Sequence, residues 1–100
     1  MLKDLILRVI LAIEDNTALF YQQKVKEGYA QLERTLGLLM QTVDKISVDK
    51  FENKRINIDE QSLNMILDNA KTALESGDTI LLSDILYFDI KSIFEDCLVK

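Results

Sequence analysis

Histidine is absent from the 100 residues of this chain. The commonest general base and the commonest transition-metal ligand are therefore missing. Proline and tryptophan are also absent, and glycine occurs only three times. A chain with so little backbone punctuation is poorly suited to many short strands and turns. Three isolated glycines cannot build a phosphate cradle. The single cysteine, Cys97, excludes an intramolecular disulfide and fits a reducing, cytoplasmic setting. Long apolar runs are missing too. The aliphatic segment Leu2 to Ile13 is interrupted by Asp4 and Arg8, which makes it too charged for a signal peptide or a membrane span.

What the chain has is aliphatic residues and acid. Hydrophobic residues make up 48% and aromatics only 7%, and the net charge is −5. Residues 1–50 carry 7 basic and 7 acidic side chains, whereas residues 51–100 carry 5 basic and 10 acidic. The whole excess lies in the second half, which argues against nucleic acid and anionic membranes as partners. A length of 100 residues suits one domain.

Periodicity predicts an all-α fold, an antiparallel four-helix bundle with helices over about residues 2–14, 18–46, 59–76 and 79–98. Leu2, Leu5, Ile6, Val9, Ile10 and Ile13 form a helical stripe. Asp15, Asn16 and Thr17, residue types that favour N-caps, then mark a chain reversal, with one long bent helix as the alternative. The second helix carries an unbroken heptad seam, Val25, Tyr29, Leu32, Leu36, Leu39, Val43 and Ile46. Gly28 on that helix permits either a close helix contact or a kink. Ser47 to Ile58 reads as a loop whose Phe51 tucks onto the bundle end, and Asp59 caps the third helix. Leu63, Ile66, Leu67, Ala70, Ala73 and Leu74 form the third stripe. Ser76-Gly77-Asp78 predicts a tight reversal, with Gly77 as a left-handed C-cap and Asp78 as the next N-cap.

The fourth helix is apolar on two sides. Leu82, Leu86, Ile90, Ile93 and Cys97 make an inward stripe, while Leu81, Ile85 and Phe88, bordered by Asp84, make a second strip. Spaced anchors of this kind suit a partner helix, and the acidic border favours a basic partner segment.

No catalytic, cofactor-binding or metal-ligating constellation stands out. Asp84, Asp89 and Asp96 lack convergent partners, and the Glu-x-x-His motifs of di-metal bundles do not occur. Glu95 and Asp96 beside Cys97 disfavour a reactive thiolate. Lys24, Lys26 and Arg34 are too sparse for a nucleic-acid face. The reading is a non-enzymatic interaction or adaptor module whose partner-binding residues are Leu81, Asp84, Ile85 and Phe88. One alternative is a homodimeric structural protein using the same surface; another, a small-ligand-binding bundle, would need an internal polar cluster.

The stretch ALESGDTILLSDILYFDIKSIFE, residues 73–95, resembles a segment of small helical proteins of clostridial-type bacteria. EGYAQLERTLGLL, residues 27–39, is similar to the helix that precedes it in such proteins. Phe88-Asp89 departs from the pattern, which has a Glu near the aromatic. More loosely, the layout is similar to the flagellar export chaperone bundles. The resemblance implies a helical bundle in flagellar or surface-glycosylation settings, with no catalytic residues.

Overall fold

The computed structural model describes residues 2–52 and 60–99, and the described residues are helical with no strand. Helix α1 spans Leu2–Tyr21, α2 spans Val25–Glu52 and α3 spans Glu60–Glu75. The last rod is built of α4, Thr79–Asp84, a π-helix, Ile85–Ile90, and α5, Lys91–Val99. The all-α bundle read from the periodicity is therefore what forms. α1 lies between α2 on one flank and the C-terminal rod on the other, while α3 packs on the rod.

The first reversal lies seven residues later than Asn16 and Thr17 suggested. Both side chains point inward and are fully buried. The Thr17 hydroxyl donates to the Ile13 carbonyl at 2.8 Å, and the Asn16 amide donates across to the Gly28 carbonyl at 2.9 Å. Cap-type residues whose side chains bond inward in these ways do not end a helix. α1 stops instead at a Schellman motif, in which Lys24 N–H donates to the Leu19 carbonyl and Gln23 N–H to that of Phe20. Gln23 holds the left-handed position at φ 62°. The second reversal repeats the motif, with Asp78 N–H on Ala73 and Gly77 N–H on Leu74. There Gly77 takes φ 74°, and Asp78 accepts from Leu81 N–H at 3.0 Å.

α2 runs on as helix through Glu52, past the loop expected from Ser47. The Phe51 side chain and Asp59 lie outside the described residues. Along the heptad seam Leu32, Leu39 and Ile46 are buried, Leu36 and Val43 are half-buried, and Val25 and Tyr29 are exposed. Gly28 serves a close contact. A Cβ there would lie 2.5 Å from Phe20 Cε1, and the Phe20 ring also meets Tyr29 edge-on at 5.4 Å.

The π-helix changes which face of the rod is inside. Hydrogen bonding from i to i+5 turns the chain less per residue than an α-helix does, so the inward set beyond it falls one position later. Leu82, Leu86, Ile90 and Phe94 are all essentially inaccessible, whereas Ile93 and Cys97, expected on the inward stripe, are half-buried. Ile85, expected on the outer strip, joins the core. The same shift draws Lys91 into the protein.

Candidate functional site

The rod meets α1 through two polar pairs in antiparallel register. The Tyr21 hydroxyl donates to Asp84 Oδ1 at 2.6 Å, and Lys91 Nζ lies 3.3 Å from Glu14 Oε2. Lys91 Nζ also stands 3.8 Å from the centroid of the Tyr87 ring, a cation–π geometry. Tyr87 in turn holds Phe88 edge-on, with centroids 5.1 Å apart. An aliphatic helix thus carries an aromatic and ionic cluster at its π-helical segment.

Burial and the Asp84 carboxylate together push the Tyr21 hydroxyl from its ordinary pKa of 10.0 up to about 12. For Lys91, burial works to lower the pKa, but the Glu14 carboxylate and Tyr87 outweigh it and hold the ammonium above its ordinary value. The cluster therefore keeps a protonated phenol and a charged lysine at neutral pH. Both are engaged groups, each held by a named partner.

Of the four residues expected to meet a partner, three remain at the surface. Phe88 is 60% exposed and Leu81 47% exposed, and Asp84 is half-buried between them. Ile85 is only 7% exposed and packs in the core, so it is removed from the strip. Ile80, also well exposed, extends the apolar surface at the start of α4. The sequence reading missed Glu14, Tyr21 and Lys91, because their roles depend on the phase shift and on the position of the first reversal.

A concavity of about 420 Å³ lies between α1 and α2. Arg8, Leu11, Ala12 and Asp15 form one wall, with Arg34 and Leu38 on the other. Cys97 is a half-buried thiol. Among the described residues no group of three or more His, Cys, Asp or Glu could hold a metal ion. Nor, among them, is any helix long and apolar enough to cross a membrane.

Fold and surface define an all-α bundle with an exposed apolar strip on its C-terminal rod. The chain belongs to the family described as domain of unknown function (DUF8042), whose model matches residues 1–99. No curated protein and no solved structure matches it.

Proposed function

We propose that this chain is a non-enzymatic interaction module that docks a helix of another protein on its C-terminal rod. The observation that carries the reading is the exposure of Leu81 and Phe88, 47% and 60%, on a rod whose other face forms the core. Helix-in-groove recognition uses large apolar anchors one to two turns apart. Here the anchors flank Asp84, whose position is held by Tyr21. A basic residue on the partner helix would meet that carboxylate. Pinned side chains lose little freedom on binding, which favours affinity. The setting we propose is the reducing interior of a bacterium, as the single cysteine and the clostridial-type resemblance suggest.

Self-association on the same strip is the second reading, and the loss of Ile85 to the core weakens it. Two large side chains contribute roughly 3–6 kcal/mol per subunit if fully buried. Association costs about 4–15 kcal/mol before any side chain is ordered. A symmetric pair of such strips would give a weak dimer.

A photo-crosslinking residue placed at position 81 or 88 tests the reading in cells that make the chain. The expected result is one shared adduct from both positions and none from Met65, which is 62% exposed on α3. Equal adducts from Met65, or none from either site, would contradict the proposal. An adduct of the chain with itself would establish the dimer instead.

A further inference from the structure

The groove between α1 and α2 has a charge pattern that the C-terminal strip does not share. The chain has 17 acidic and 12 basic residues, so most cations could find a carboxylate nearby. Arg8 and Arg34 line opposite walls of this groove. Neither hydrogen bonds to nor pairs with a carboxylate among the described residues. The same walls carry Leu11, 60% exposed, with Ala12 and Leu38 half-buried, and Thr35 is the buried lining residue between them. A leucine left this open beside two guanidinium groups that no described carboxylate pairs is complementary to a segment carrying both carboxylates and an apolar side chain.

The dimensions narrow the occupant. Along α1 the groove runs from Arg8 to Asp15, which is two helical turns or about 10 Å. Its volume of about 420 Å³ falls within the range of ligand sites, and its lining comes from two helices side by side, which makes it a trough. One face of a short helix fits such a trough. Asp15 closes the end away from Arg8, so the two ends of the trough carry opposite charge and would fix the direction of the bound segment.

We propose that this groove receives an acidic, leucine-bearing helical segment of a partner protein, with its carboxylates between Arg8 and Arg34. Guanidinium–carboxylate contacts are charge-assisted and often bidentate, which suits recognition on an open surface. α2 forms one wall of the groove, and the strip of Leu81 and Phe88 lies on the rod that flanks the other side of α1. The inference is therefore independent of the function proposed above. Together the two faces make the chain an adaptor with one acid-seeking and one base-seeking surface.

The test is selection of a displayed library of short amphipathic helices, randomised in charge, on the full chain. Enriched peptides should carry Asp or Glu next to Leu or Met. They should bind Arg8→Glu/Arg34→Glu about tenfold or more weakly, and Lys-for-Glu versions should prefer that variant. Arg8→Gln/Arg34→Gln serves if the charge reversal disturbs the thermal melt. Binding of the enriched peptides should be unaffected by Leu81→Ser/Phe88→Ser. Enrichment without acidic bias, equal binding to the arginine variants, or no enrichment at all would overturn the proposal. So would self-association abolished by Arg8→Glu, since a second copy would then be the occupant.

Discussion

The Asn16 side-chain amide donates to the Gly28 carbonyl at 2.9 Å, which locks α1 to the start of α2 from within the core. The Phe20 ring fills the space where a residue-28 side chain would begin. Gly28→Ala should therefore lower stability even though alanine gains about 1 kcal/mol in helix propensity. Displacing a buried ring costs about 1–3 kcal/mol, so a net loss of up to roughly 2 kcal/mol is expected in urea unfolding. Phe20→Leu in the same chain should reduce the penalty of Gly28→Ala, a non-additivity that a double-mutant cycle reads directly.

Gln23 occupies the left-handed position of the first Schellman motif, where a side chain costs about 1–2 kcal/mol. Gln23→Gly should raise the unfolding free energy by up to about 1 kcal/mol, after the greater freedom of glycine in the unfolded chain is subtracted. Gly77→Ala at the equivalent position of the second motif should lower it by a similar amount. Calorimetry of both variants checks the pair.

These two motifs explain how much of the fold was legible. Gly77 and Asp78 use the residue types their positions favour, and that reversal was readable. Gln23 adopts the same conformation without a glycine, so nothing local marked the turn, while Asn16 and Thr17 imitated caps. The stripes of α1 and α3 and the buried residues of the α2 seam were visible in their spacing. On the rod, Leu82, Leu86, Ile90 and Phe94 are each four residues apart, wider than the 3.6 that keeps an α-helix on one face. That spacing was the available sign of the π-helix, and with it of the burial of Ile85 and Lys91. Arg8 and Arg34 offered no such sign, because a groove between helices depends on how the helices pack.

The phase shift makes a sharp prediction at neighbouring positions. Phe94 is fully buried and Ile93 is half-buried. Phe94→Ala should cost about 3–5 kcal/mol, and Ile93→Ala should stay below the roughly 2–5 kcal/mol of a fully buried aliphatic. An uninterrupted α-helix carrying the stripe of Leu82, Leu86 and Ile90 would reverse the order. Equilibrium denaturation of the two variants settles it.

The Tyr21–Asp84 bond has a pH signature. The Tyr21 pKa lies near 12 in the folded chain against an ordinary 10.0. The folded state thus favours the protonated phenol, and its contribution is fully present below about pH 10 and lost as pH rises towards 12. Asp84→Asn should move the ionisation back towards 10. Ultraviolet titration of phenolate absorbance, taken as a difference against Tyr21→Phe, checks the shift. At the neighbouring pair, Glu14→Gln should destabilise more than Lys91→Met. The first removes the anion that the ammonium faces, whereas the second replaces the lysine with a chain that packs where its buried stem does.

The measurement that bears most directly on the proposed function is the stability of Leu81→Ser/Phe88→Ser, taken together with its crosslinking from Ile80, the adjoining exposed residue. Exposed side chains that serve a partner contribute little to folding, so the unfolding free energy should change by no more than about 0.5 kcal/mol per site. The partner adduct should vanish in the same chain. Loss of cooperative unfolding would show that the strip belongs to the core, and a persistent adduct would show that the partner binds elsewhere; either result contradicts the account.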